Sequence, residues 1–254
     1  MGEEARMQLD IANHCDIGGR EVNEDTTLIK QTEGFTLAAV ADGLGGHGGG
    51  KIASACAIQT LLEQEDRLHT MEEEALREVC ERINDAVLAG QTAQVRMKTT
   101  LALALVSDEA IAFLHVGDSR AYLFREGKIA YQSQDHSVSQ LAVLTGAIKP
   151  EQIRFHEDRN KVLRSLGSEN NATPDIRLLQ ETLHPCDAIL LCTDGFWEYV
   201  TEKEMISTLR RAKSAEDWIR RMKLLIKWRA KKDNDNNSAV AVLAQRPEKA
   251  SLWR

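Results

Sequence analysis

The sequence predicts an α+β fold made of antiparallel sheets flanked by helix pairs. Three observations carry this expectation. Nine short segments are β-branched or alternating and bounded by turn residues. Two helical periodicities stand together after the third of them, and two more stand together before the last. Strands and helices therefore do not alternate, which argues against a purely parallel α/β sheet.

In chain order the predicted strands are 7–13, 26–32, 35–41, 99–107, 110–117, 120–126, 174–181, 187–193 and 238–245. The first helical pattern places Ile52, Ala55, Ile58 and Leu62 on one face, and the second places Leu76, Val79, Ile83 and Ala86 on another. Further helices are predicted near 201–211 and 215–231, with Trp218, Met222, Leu225 and Ile226 on the core side of the latter. That helix is basic and amphipathic, a pattern also used on membrane surfaces and partner grooves. Residues 137–172 combine a short helix at 137–145 with the polar run RFHEDRN and read as an irregular flap. Four prolines and no low-complexity stretch mark no linker, so residues 1–254 read as a single domain.

Composition narrows the function. The 254 residues carry 32 Lys+Arg against 39 Asp+Glu, a formal net charge of −7, which disfavours salt-driven nucleic-acid binding. Aromatics make up 5% of the chain, too few for a base-stacking platform. No apolar run reaches the roughly 18 residues of a membrane span. MGEEARMQLD lacks a secretory pattern, and Arg6 stands where a myristoylation signal wants Ser or Thr. The five cysteines (Cys15, Cys56, Cys80, Cys186 and Cys192) include no C-x-x-C pair and read as buried reduced thiols. A cytoplasmic monomer is expected.

The informative feature is where the aspartates fall. Asp42-Gly43, Gly117-Asp118 and Asp194-Gly195 each end an apolar strand, and Asp235 precedes the last one. Any one of these is an ordinary turn pair. If the strand ends converge, the carboxylates repel unless a hard cation such as Mg²⁺, Mn²⁺ or Ca²⁺ joins them. ADGLGGHGGG also contains G-x-G-x-x-G at Gly43, Gly45 and Gly48. A dinucleotide site is disfavoured there, because Asp42 would repel a pyrophosphate and a second helix follows the first. His14, His69, His115, His156 and His184 show no metal-ligand spacing, and His136 in Asp-His-Ser reads as a residue that locks a turn.

The ordered set R-x-x-N-E-D (Arg20–Asp25), ADGLGGHGGG, T-T-L-A-L-A-L-V, V-G-D-S-R (Val116–Arg120), Q-D-H-S, L-C-T-D-G-F-W-E and D-N-N-S-A-V-A-V resembles the metal-dependent protein phosphatases of the 2C type, bacterial members above all. The resemblance implies an α-β-β-α sandwich. It implies hydrolysis of phosphoserine and phosphothreonine in proteins by a metal-activated water, reversing a Ser/Thr kinase. It implies Mn²⁺ or Mg²⁺, two ions with a third as an option. Position by position, Asp42 matches a bridging ligand, Gly43 a carbonyl ligand, and Asp194 and Asp235 further carboxylate ligands. Asp25, with Glu24 beside it, matches the acidic pair acting largely through waters, and Asp118 matches a third-metal aspartate. Arg20 matches the phosphate-binding arginine and His47 a proton donor. DNDNN allows Asp233 or Asp235 as the ligand, and Asp235 fits the strand start. Lys98 stands where many members have glycine, and Ser238 where threonine is common. The alternative is a catalytically weak phosphatase-like binding module, which predicts loss of a core ligand.

Overall fold

The computed structural model describes residues 7–45 and 48–245. Its strands are β1 (Leu9–Asp16), β2 (Asp25–Gln31), β3 (Thr36–Leu44), β4 (Lys98–Thr99), β5 (Leu101–Val106), β6 (Ile111–Val116), β7 (Arg120–Arg125), β8 (Lys128–Gln132), β9 (Asp175–Leu179), β10 (Ala188–Cys192) and β11 (Asn237–Ala244). Its helices are α1 (Gly49–Glu63), α2 (Glu73–Ala89), α3 (Val138–Leu144), α4 (Asp194–Trp197), α5 (Glu202–Leu209) and α6 (Ala215–Arg229).

Several strands are apolar at every position because both of their faces are covered. Along β3, Leu37, Ala39 and Ala41 face one apolar layer and Ala38 and Val40 another. In β10, Ile189 and Leu191 face the middle layer while Ala188, Leu190 and Cys192 face outward to a third. A period of two with both sets buried requires material on each side of each sheet. One sheet runs β1-β11-β10-β7-β8, and the other β2-β3-β5-β6-β9 with β4 on β3. Every named pairing among the described residues is antiparallel. The middle layer lies between the sheets. Helices α1 and α2 cover the β2–β9 sheet, and α5 and α6 cover the β1–β8 sheet. The result is the α-β-β-α sandwich of the sequence reading.

The differences are local. Strand β8 is absent from the sequence reading because it is an edge strand with alternating exposure and a weak apolar signal. It is reached through a tight turn in which Glu126 and Gly127 both have positive φ. The buried face of α1 is Ala53, Ser54, Ala57, Ile58 and Leu61, one position round from the predicted face. Ile52 is 54% exposed. Gly50 lets the helix start press closely on β3, where an added Cβ would meet the Gly43 carbonyl oxygen at 2.5 Å, and alanines follow on that face. Of the cysteines, Cys80 and Cys192 are buried, Cys56 is half-buried, and Cys15 and Cys186 are exposed, so the expectation of five buried thiols is corrected. Cys15 lies on the exposed end of an edge strand, and Cys186 sits in the turn before β10. Residues 137–172 contain α3, a 3₁₀ turn at Pro150–Phe155 and isolated bridges Ser137–Val162 and Thr99–Leu166, and are otherwise irregular.

Helix α6 shows how one element is held. Ser214 caps it, its side chain accepting from Asp217 N at 3.0 Å. Trp218, Met222 and Ile226 enter the outer layer. The Trp218 indole N–H donates to Met205 O at 3.1 Å, and the ring meets Phe124 edge-on at 5.3 Å. Trp218→Ala should therefore cost about 3–5 kcal/mol, read by urea unfolding. A loss below about 1 kcal/mol would contradict the placement of this side chain in the core.

Candidate metal centre

The acidic residues reach one end of the sandwich from both sheets. Asp25 opens β2 and Asp42 lies near the end of β3, where the register sets them directly opposite each other. Opposed residues share a face, so two like charges meet there. Asp118 sits in the connection from β6 to β7, where the chain passes from one sheet to the other. Gly117 before it has φ +106°, a conformation that excludes ordinary side chains. Asp194 follows β10 and opens α4, and Asp235 stands two residues before β11. Gly43 allows the start of α1 to approach, since a Cβ there would meet the Gly50 carbonyl oxygen at 2.1 Å.

Asp42, Gly43, Asp118, Asp194, Asp235, Glu24 and Arg20 all line one cavity of about 400 Å³. Asn160 and Val162 of the irregular segment complete its wall. Asp25 lies behind this lining, with Oδ2 accepting from Thr193 Oγ1 at 2.9 Å. Asp233 is exposed and outside the cavity, as the choice of Asp235 requires. Arg20 is bound to Asp235 through two bonds, Nε to Oδ1 at 3.0 Å and a terminal nitrogen to Oδ2 at 2.8 Å. His47 lies outside the described residues. Thr100 N and Thr99 Oγ1 both donate to Asp42 O, at 2.9 and 2.8 Å, and pin the end of β3.

The electrostatics are those of a site short of positive charge. Burial pushes Asp25 up to about 7, with the Asp235 and Glu24 charges adding to it. Burial likewise raises Asp118 to about 7, with Asp135 adding. Asp42 and Asp194 are held well above the usual carboxylate range by burial and by the neighbouring aspartates. Asp25 Oδ1 and Asp194 Oδ1 are buried without a hydrogen-bond partner. An all-oxygen set with orphaned anionic atoms fits hard divalent cations.

Sequence reasoning missed two supports. Arg120, the last residue of V-G-D-S-R, is buried, makes two bonds of 2.7 Å to Asp135 and lies 3.6 Å over the Trp197 ring. Trp197 Nε1 then donates to Asp118 O at 2.9 Å, so this stack fixes the Asp118 backbone. The second support is His115, His136 and Asp175, whose donor atoms lie within 4.8 Å of one another. Spacing along the chain could not reveal it, because the three come from separate elements. The pocket carboxylates are spread more widely than this trio. His115 Nε2 donates to Gln134 O at 2.8 Å. His136 Nδ1 accepts from Gly117 N at 3.1 Å, and its Nε2 faces Asp175 and Arg164, each at 3.3 Å. The Arg164 guanidinium lies against both His136 Nε2 and Asp175 Oδ1, at 3.3 and 3.1 Å, so a side-chain cation already stands beside the trio. Burial and His115 lower His136 to about 4, so it stays neutral. The trio is a hydrogen-bonded brace that holds the Gly117 turn, as the turn-locking role of His136 anticipates.

The model of the family described as protein phosphatase 2C matches residues 16–233. The chain belongs to this family. The serine/threonine protein phosphatase PstP of Mycobacterium tuberculosis is 31% identical over 219 residues, covering 82% of this chain and 40% of PstP. The chain thus spans less than half of that relative's length. The serine/threonine phosphatase stp of Listeria welshimeri is 30% identical over 207 residues, covering 78% of this chain and 81% of its own. The crystal structure of M. tuberculosis PstP superposes with a TM-score of 0.81 at 28% identity, covering 94% of this chain and 99% of that one. The PstP catalytic domain solved in complex with two manganese ions superposes at 0.76 and 27% identity, covering 94% and 99%. The 2C-family fold is therefore present across almost the whole chain. Among the described residues no helix is long and apolar enough to cross a membrane.

The raised carboxyls set the direction of the pH response. Folded Asp25 and Asp118 keep their protons to about 7, whereas the unfolded chain releases them near 3.8. Between those values the native state binds more protons, so stability falls as pH rises. Metal-stripped protein should melt at lower temperature at about pH 8 than at about pH 5, and Mn²⁺ should raise Tm more at the higher pH. Equal Tm at both values with no response to Mn²⁺ would rule this picture out.

Proposed function

We propose that the chain removes phosphate from phosphoserine and phosphothreonine in proteins, reversing a Ser/Thr kinase, as a cytoplasmic monomer. The observation that carries the reading is the convergence of Asp42, Asp118, Asp194 and Asp235 on one cavity with a guanidinium at its rim. The competing reading, a phosphatase-like binding module, requires loss of a core carboxylate, and Asp42, Asp194 and Asp235 all reach the cavity.

In this reading Asp42, Gly43, Asp194 and Asp235 would hold Mn²⁺ or Mg²⁺, Asp25 and Glu24 would act through waters, and Asp118 would serve a third ion. When bound, such cations offset the carboxylate charge and make a water acidic enough to attack phosphorus near neutral pH. Arg20 supplies the phosphate clamp. Its planar fork, which now grips both oxygens of Asp235, matches two oxygens of a phosphate equally well. A cation at Asp235 and a phosphate at Arg20 would each draw on groups that are now joined to one another. The Arg120–Asp135–Trp197 stack keeps the Asp118 backbone in place while this happens. Residues 137–172 act as a flap, from which Asn160 and Val162 line the cavity. The departing oxygen needs a proton, and the sequence reading assigns that role to His47.

Asp42→Asn should lose roughly 10²–10³-fold or more in Mn²⁺-dependent phosphopeptide turnover while its circular dichroism stays native. Native-like turnover by that variant would sink the reading. Arg20→Ala should raise KM for phosphopeptide more than it lowers kcat, and an unchanged KM would remove the clamp role.

A further inference from the structure

The outer side of α6 carries a pattern that the phosphatase reading does not use. Residues 218–232, WIRRMKLLIKWRAKK, contain seven basic residues and no carboxylate in a chain of formal charge −7. Arg220 and Arg221 are held by Asp217, and Arg229 by Glu204. Lys223, Lys227, Lys231 and Lys232 are exposed, and among the described residues no ion pair engages them. Beside this row stand two apolar side chains one helical turn apart, Leu224 at 58% and Trp228 at 82% exposure. The core-facing side chains of α6 are on its other side, so Trp228 contributes nothing to the packing of the helix.

The chain that leaves this stripe leads to the cavity rim. After α6 the chain passes through Lys231 and Lys232 to Asn234, whose carbonyl accepts from Gly19 N at 2.9 Å. Arg20 follows Gly19, Asp235 follows Asn234, and those two side chains are joined at the cavity rim. The lysine turn that follows α6 therefore lies beside the loop that carries Arg20 to the cavity rim.

We propose that the outer face of α6 and the lysine turn behind it dock an acidic, leucine-containing segment of the phosphoprotein substrate, next to the residue being dephosphorylated. The proposal rests on the phosphatase reading above. Charge selects an acidic partner, and exposed Trp beside Leu supplies the kind of anchor that dominates peptide interfaces. A stripe only two apolar side chains long fits a peptide better than a bilayer.

The test uses the full chain with Mn²⁺ and three substrates. They are p-nitrophenyl phosphate, a phosphothreonine peptide with a neutral flank, and the same peptide with an Asp/Glu/Leu flank of about ten residues placed on each side in turn, roughly 33 Å when extended. Trp228→Ala and Lys227→Glu should each raise KM for the acidic-flank peptide by roughly fivefold or more. The kcat and the turnover of the other two substrates should stay unchanged. Raising salt from about 50 to about 300 mM should raise that same KM in the parent protein. An unchanged KM in both variants, or an equal change on the neutral peptide, overturns the proposal. So does binding of phosphatidylserine vesicles that Trp228→Ala abolishes without any change in KM. Failure of the parent protein to turn over p-nitrophenyl phosphate overturns the phosphatase reading itself, and the docking surface with it.

Discussion

Mutual repulsion among carboxylates gathered at one end of two sheets is the constraint on which the rest of this structure turns. Left to themselves Asp25, Asp42, Asp118, Asp194 and Asp235 would move apart or keep their protons. They cannot move apart, because each sits at or beside the end of a strand whose other residues are locked in apolar layers. The layers of Leu, Val, Ile and Ala on either side of β3, β5, β10 and β11 supply the rigidity, and the strand ends inherit it. A cluster that would be unstable on loops becomes a standing demand for positive charge when carried on such a frame.

Two kinds of support keep that frame accurate to the last residue. Backbone groups of Asp42 are tied by Thr99 and Thr100, and the Asp118 carbonyl is tied by Trp197. The Arg120–Asp135 pair beneath Trp197 is almost fully enclosed. Buried ion pairs of this type add little net stability over an apolar substitute, yet they tolerate the loss of neither partner. Their value here is orientation, since they stand directly behind one of the acidic tips.

Much of this was readable in advance. Apolar runs ending in Asp-Gly announced both the strands and the acidic tips, because burial on two faces leaves no polar position until the strand emerges. The stripes of α2 and α6 were equally plain. The misreadings have physical causes. β8 alternates weakly because it is an edge. The face of α1 was displaced because glycine and alanine, not large side chains, set its contact with β3. Arg120, Asp135 and Trp197 meet only through the folded chain, as do His115, His136 and Asp175, and local patterns hold no record of such meetings. The family resemblance marks Arg20 as a phosphate clamp and Asp235 as a cation ligand, but their grip on each other depends on a loop contact 215 positions apart in sequence.

The pairing of Asp25 with Asp42 across β2 and β3 has a consequence for how such a molecule can change over generations. Side chains alternate between faces, so sliding either strand by one step would turn an aspartate away from its partner and send the residues behind it into the opposite apolar layer. No gradual path of small slips exists between one acidic geometry and another. Change is easier at the rim, where irregular backbone imposes no such register.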